Sequence, residues 1–258
     1  MTAIHATAIV DPRARLHPTV TVGPYSVIGA DVEIGEGTTV GPHVVIRGPS
    51  VFGRKNRIFQ FASLGDEPQD KKYAGEPTRL VVGDGNTIRE YVTMNRGTAQ
   101  DLGETRVGND NWIMANTHIA HDCVVGSQTI LANGVILAGH VTIEDWAILG
   151  GYVAVHQFSR LGEHCFVGGG SEVERDIAPW VMSDGHPAQP RGINKEGLRR
   201  RGFKPEDLDA IEDLYKLVFR SGTIMAEVKT ELAARAATSP WAKQMLAFIE
   251  KSKRALQR

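Results

Sequence analysis

The chain has 258 residues, 41% of them hydrophobic and 23% charged, with a formal net charge of -1. That balance gives no overall attraction to nucleic acid or to a membrane surface; no apolar run is long enough to span a bilayer, and no basic segment followed by an apolar one opens the chain. A cytoplasmic protein with no nucleic-acid partner and no membrane insertion is expected, and its two cysteines, Cys123 and Cys165, make neither a disulfide framework nor a metal-ligand spacing.

From the amino terminus, apolar residues recur every six positions: Ile4, Val10, Leu16, Val22, Ile28, Ile34, Val40, Ile46, Phe52, Ile58 and Leu64. Four residues after these positions the side chain is mostly small, as at Ala8, Ala14, Ser26, Thr38 and Ala62. Glycine often follows the apolar residue directly, as in Val22-Gly23, Ile34-Gly35 and Val40-Gly41. A period of six fits neither a helix nor a plain alternating strand. It fits a short strand and a tight corner, three to a coil, with about 18 residues per coil. Each aliphatic then points into a narrow prism, the small residue shares the interior, and coils stack about 4.8 Å apart. A sandwich of short strands would space its turn signals about 8–12 residues apart, which this chain does not do. The fold class is therefore mainly β, a hexapeptide-repeat solenoid of parallel strands.

Two stretches interrupt the period. Residues 65–79 are polar, with Asp66, Glu67, Asp70, Lys71 and Lys72, and the period resumes at Val82. Residues 97–105 shift the phase by one before Val107, after which Ile113, Ile119, Val125, Leu131 and Leu137 continue it to Val173. Both stretches read as loops projecting from the prism, where rigid scaffolds commonly carry function. From Arg191 the sixfold pattern gives way to helical spacing: Leu208, Ile211, Leu214, Tyr215 and Val218, then Met225, Val228 and Leu232, then Trp241, Met245, Phe248 and Ile249. Pro205 opens the first of these helices, and Ser239-Pro240 caps and opens the last. The expected organisation is a solenoid over 1–190 and a helical domain over 191–258.

Chemistry belongs outside a filled prism. His118 precedes inward Ile119, His121 lies two residues after it, His140 lies three after Leu137, and His156 follows Val155. One coil on from His121 stands Gly139, and one further stands Gln157, beside His140 and His156. A lone surface histidine is usually only solvated, but histidines on three successive rungs at one corner make a candidate site. Zinc would need ligands converging on one point, and no two histidines here have the five-residue separation of solenoid carbonic anhydrases, so no metal is expected. Cys123 and Cys165 fall at the small inward position and read as packing. His121 followed by Asp122 suggests a base with a carboxylate to orient it.

Five segments carry a resemblance: Asp70-Lys71-Lys72-Tyr73-Ala74-Gly75-Glu76-Pro77-Thr78-Arg79, His118-Ile119-Ala120-His121-Asp122-Cys123, Leu137-Ala138-Gly139-His140-Val141, Val155-His156-Gln157-Phe158 and Glu196-Gly197-Leu198-Arg199-Arg200-Arg201-Gly202-Phe203. Together they resemble the UDP-N-acetylglucosamine O-acyltransferases, which begin lipid A biosynthesis, and the likeness runs essentially end to end. The resemblance implies a left-handed parallel β-helix, a homotrimer with sites between subunits, and no cofactor. A left hand runs against the usual right-handed crossover and comes only from this likeness. The implied partners are UDP-N-acetylglucosamine and an acyl carrier protein bearing a 3-hydroxyacyl chain.

By the same resemblance His121 is the general base, Asp122 its partner, and the Gly139 N–H the oxyanion donor. Asp70, Lys72, His118, His140, His156 and Gln157 match substrate-positioning residues. Asn194, Glu196, Arg200 and Arg201 match nucleotide and phosphate contacts, and Gly169 matches the residue that closes the acyl groove. Arg191, Lys195, Arg199, Arg200, Arg201 and Lys204, against Glu196 alone, would suit a diphosphate or an acidic carrier protein. Two positions depart from the family pattern. Asn95 stands where many members have histidine, and Gly185-His186-Pro187-Ala188 replaces a Gly-Asn-His-Ala, so His186 does not inherit that histidine's role. The alternatives are an N-acyltransferase relative, an acceptor with a 3-amino group, and a non-catalytic scaffold.

Overall fold

The computed structural model describes residues 3–258. Short parallel strands, most of two residues, stack into three sheets of 11, 9 and 8 strands that form the faces of a triangular prism. Every third strand along the chain falls on the same face, so Thr21 pairs with Thr39 and Ile130 with Ile148. The coils form a left-handed parallel β-helix.

The sixfold residues fill this prism. Val22, Ile28, Ile34, Leu64, Val107, Ile119 and Leu137 are all buried, and Ser26, Thr38, Thr117, Cys123 and Cys165 occupy the remaining interior. Burial pushes the Cys123 thiol up to about 12, so it packs as a small apolar group. Glycines after the inward aliphatic let coils approach: a Cβ on Gly35 would lie 2.7 Å from the Gly53 oxygen. At one corner Asn56, Asn86 and Asn111 form a buried ladder in which each carboxamide oxygen accepts the N–H of the residue one coil on. Ile4 departs from the pattern. It lies in the first described coil and is exposed.

The insertions fall where the period breaks. Along the asparagine ladder the step is 18 residues from Asn111 to Thr129, 30 from Asn56 to Asn86, and 25 from Asn86 to Asn111. The first insertion adds a multiple of six and keeps the phase; the second does not. Strands Ser63–Asp66 and Arg79–Val82 bound the first, and Thr93–Asn95 and Glu104–Val107 the second.

The prism ends in an antiparallel hairpin, Val181–Gly185 with Ala188–Ile193, which sequence periodicity alone does not announce. Four helices follow: α1 (Lys195–Arg200), α2 (Pro205–Phe219), α3 (Met225–Arg235) and α4 (Pro240–Lys251). Leu208, Ile211, Leu214, Tyr215 and Val218 form the buried face of α2, and Met245, Phe248 and Ile249 that of α4. Pro205 is at the start of α2, and the Ser239 side chain accepts the Ala242 N–H at the head of α4. The last residues return to the prism, where buried Asp176 accepts from the Ser252 hydroxyl and the Gln257 N–H bonds the Asp176 carbonyl.

Candidate active site

The coil corner after strand His118–Ile119 sets His121 and Asp122 side by side on the prism edge. Asp122 has φ +58, a left-handed conformation that polar short side chains tolerate better than most. Its backbone N–H donates to the Thr105 hydroxyl at 2.9 Å. Its carboxylate, fully buried, lies 2.9 Å from His121 Nδ1. The Thr98 N–H and hydroxyl donate to it as well, at 2.9 Å and 2.7 Å. Burial alone would raise the Asp122 carboxyl, but the His121 and Thr98 hydrogen bonds and the nearby His140 outweigh it and hold the group below the usual carboxylate range. Asp122 is thus an ionised anchor, and an Nδ1–H directed at it leaves His121 Nε2 as the acceptor.

One coil on, Gly139 lies under the His121 ring. A Cβ there would sit 2.6 Å from His121 Cε1 and 2.8 Å from Nε2, so only glycine leaves the imidazole in place. The Gly139 N–H has no hydrogen-bond partner among the described residues. Next to it His140, at φ +63, turns outward: its ring stacks on Phe158 at 4.4 Å and meets the His121 ring edge-on at 5.0 Å. His140 Nδ1 lies 2.7 Å from Asp101 Oδ2, a carboxylate brought by the second insertion. His118 Nδ1 lies 2.7 Å from the Thr93 hydroxyl, and burial, with the neighbouring His121, lowers its pKa. Imidazole nitrogens of His121 and His140 and the Asp122 carboxylate lie within 4.8 Å of one another. The carboxylate already accepts from Thr98 and faces His121, and His140 is engaged by Asp101, so the cluster is tied together by hydrogen bonds.

A groove of about 1150 Å³ opens along this corner. Asp70 and Lys72 of the first insertion, Asp101 of the second, His121, Asp122, His140 and Gln157 line it, with Lys251 and Lys253 at the end of α4. His156, on the next rung, has Nδ1 3.0 Å from the Gln157 carbonyl. A second set of expected residues gathers at a different corner. Asn194 caps α1 by accepting the Gly197 N–H and donates to the His164 carbonyl. Glu196 pairs with Arg200 on the exposed side of the same helix. Arg201 lies over the Trp146 ring at 5.1 Å and 3.0 Å from His164 Nδ1. Burial, then the Arg201 charge, lowers the His164 pKa to about 4. Within one chain these residues do not line the His121 groove. Gly169 stands above Gly151 on a third corner, with Cβ space ending at the Gly151 oxygen 3.3 Å away. The left-handed residue of that corner is Gly170, at φ +71, so Gly169 is free of that backbone demand. His186 is exposed, 3.7 Å from Glu172.

Comparison with known proteins places this arrangement. The profile described as Udp N-acetylglucosamine O-acyltransferase, domain 2, matches residues 176–257, and that of bacterial transferase hexapeptide (six repeats) matches 2–48 and 104–139. The UDP-N-acetylglucosamine O-acyltransferase of Moraxella catarrhalis is 45% identical, with a TM-score of 0.97 over 99% of each chain. The chain belongs to the UDP-N-acetylglucosamine O-acyltransferase family. The acyltransferase of Francisella novicida is 43% identical at a TM-score of 0.97, over 99% of this chain and 94% of that one. The Arabidopsis acyltransferase is 33% identical at 0.83, over 99% and 100%. As a member of this family the chain is an acyltransferase. Among the described residues no helix is long and apolar enough to cross a membrane.

Sequence periodicity gave no sign of Arg96, Thr98 or Asp101. They lie outside the repeat, and their partners are 23 to 48 residues away. The available signal was the placement of two polar insertions on one side of the same corner.

Proposed function

We propose that the chain transfers an (R)-3-hydroxyacyl group from acyl carrier protein to the 3-position of UDP-N-acetylglucosamine, the first step of lipid A biosynthesis, in the cytoplasm. The observation that carries this is the His121–Asp122 pair on the wall of the groove, with Gly139 beneath the imidazole. His121 Nε2 takes the proton of the sugar 3-hydroxyl as the oxygen attacks the thioester carbonyl. Negative charge develops on the carbonyl oxygen, where the unpaired Gly139 N–H donates to it. The carbon–sulfur bond then breaks, and the imidazolium returns its proton to the leaving thiolate. Asp122 stabilises that imidazolium and fixes the tautomer, since its carboxylate is ionised before the reaction begins.

Asp70, Lys72, His118, His140, His156 and Gln157 would position sugar and phosphates along this groove. Glu196, Arg200 and Arg201 would reach the nucleotide, with Asn194 fixing the turn that presents them. Since those residues lie at another corner of their own chain, a complete site requires a second subunit. The outer surface supports a trimer. Trp112, Ile130, Ile148 and Phe166 point outward on successive rungs of one face. The neighbouring corner exposes a stack of Tyr25, His43, Phe61 and Tyr91 at 5.1–5.2 Å spacing. The third face mixes Arg15, Glu33, Arg106 and Arg160 with Val51, Val81, Val124 and Thr142. An exposed apolar face with an aromatic corner beside it suits a subunit contact.

The test is release of carrier-protein thiol in the presence of UDP-N-acetylglucosamine and 3-hydroxyacyl carrier protein, with the ester product located on the sugar. Thiol release dependent on both substrates is expected. A folded trimer that releases no thiol contradicts the reading.

A further inference from the structure

The guanidinium of Arg96 is buried, 8% exposed, and every hydrogen bond it makes goes to an uncharged oxygen. Nη1 donates to the Gly48 and Gly65 carbonyls, both at 3.0 Å, and Nη2 donates to the Tyr73 hydroxyl at 2.9 Å. A cation taken out of water without a carboxylate partner costs stability, so the fold retains it against a penalty. Its contacts show what it holds. Gly65 lies in the strand that enters the first insertion, and Tyr73 lies in that insertion's middle, next to the groove residues Asp70 and Lys72. Tyr73 passes the contact on by donating to the Glu76 carbonyl at 3.0 Å.

The residues on either side of Arg96 grip the same insertion. The Asn95 amide donates to the Glu67 carbonyl at 2.7 Å, the Arg96 N–H bonds the Asp66 carbonyl at 3.0 Å, and the Gly97 N–H bonds the Arg79 carbonyl at 3.3 Å. Gly97 must be glycine here, since a Cβ would lie 2.3 Å from the Glu104 nitrogen. One residue further, Thr98 donates both its N–H and its hydroxyl to Asp122. Four consecutive residues therefore join the root and centre of the first insertion to the carboxylate behind His121.

We propose that residues 95–98 are a positioning strap that sets the loop bearing Asp70 and Lys72 in register with the His121–Asp122 pair. This rests on the reading of that loop as a contact for the nucleotide sugar. Arg96 and Tyr73 position the binding end, and Thr98 positions the catalytic end, so their variants fail differently. Arg96→Lys keeps the charge but loses the forked geometry that reaches three oxygens at once. It should raise the KM and the calorimetric Kd for UDP-N-acetylglucosamine by about tenfold with kcat changed little. Tyr73→Phe, a milder change that removes one hydroxyl, should move KM the same way by about threefold. Thr98→Val should lower kcat by about tenfold at unchanged KM, and Thr98→Ser, which keeps the hydroxyl, should restore it.

Lys72→Ala serves as the reference for the loop. If Lys72→Ala weakens nucleotide-sugar binding while folded Arg96→Lys and Tyr73→Phe bind as the parent does, the strap does not position the loop and the inference fails. If Lys72→Ala leaves binding unchanged, the reading of the loop falls, and the strap falls with it. Should Arg96→Lys not fold, Tyr73→Phe and the Thr98 pair decide between the same outcomes.

Discussion

Two corners of one prism carry histidines in opposite surroundings. At the first, His121 and His140 face the carboxylates of Asp122 and Asp101. At the second, His164 stacks on Trp146, meets Phe203 edge-on and faces the Arg201 guanidinium. Carboxylates favour an imidazole that gains a proton, and a guanidinium opposes it. Burial and Arg201 accordingly keep His164 neutral down to a pH of about 4. The same residue type, offered by the same repeat, meets carboxylates at one corner and at the other is a neutral packing and hydrogen-bonding group. The difference lies partly in which insertion or helix reaches each corner: the loop over 97–105 adds Asp101 to the Asp122 already at the first, and the end of α1 brings Arg201 to the second.

The largest effect expected from this contrast is at His121. His121→Ala should lower turnover by about 10²–10⁴ without unfolding the trimer, since the side chain lies outside the packed prism. Near-normal turnover in a folded variant, read by thiol release, would remove His121 from the mechanism. Asp122→Asn should cost less, because it removes charge support and leaves the base present. Gly139→Ala comes next: its Cβ would overlap the His121 ring at 2.6 Å, and a displaced base should cost about 10²-fold in kcat. Unchanged kcat in that variant would show that the ring does not work from where it now lies.

These residues differ in how legible they were. The prism was read from a period of six because the interior repeats: every coil meets the same narrow space, so Ile119, Leu137 and Val155 must all be aliphatic. Cys123 and Cys165 were recognised as packing for the same reason, and the buried stripes of α2 and α4 followed from helical spacing. The contact of His121 with His140 was only half visible. Phase placed them on adjacent rungs, and the left-handed turn at His140 recurs one coil away on either side, at Asp122 and Phe158, but the period does not say that the His140 ring meets His121 edge-on. Thr98, Asp101 and Arg96 were invisible because insertions are aperiodic and their partners are fixed by tertiary approach. The closing hairpin over 181–193 was missed because it abandons the parallel stacking that the repeat encodes.

A smaller effect should appear on donor choice. We propose that Gly169 limits the acyl groove; its φ lies outside the left-handed region, so the backbone there accepts a side chain. Gly169→Met should shift preference toward 3-hydroxyacyl chains several carbons shorter, at roughly 0.8 kcal/mol per excluded methylene. An unchanged ranking of donors in an active variant would make Gly169 a plain corner residue.

The smallest effect concerns stability at the second corner. His164 has a folded pKa below its unfolded one, so as pH falls below about 6.5 the unfolded chain takes up a proton that the folded chain refuses. Stability from this source is whole above that pH and declines toward pH 4. The loss by pH 5 is about 2 kcal/mol. His164→Gln should therefore lose less Tm between pH 7 and pH 5 than the parent does. An equal or steeper loss in the variant would mean that His164 is not the neutral member of the pair.

The division of labour between the corners is tested most directly by kcat at saturating nucleotide sugar, measured for His164→Gln beside His121→Ala in one thiol-release assay. His164→Gln should keep kcat within a few-fold of the parent, while His121→Ala falls by at least about 10². Equal losses in the two variants, or a larger loss at His164, would contradict the account.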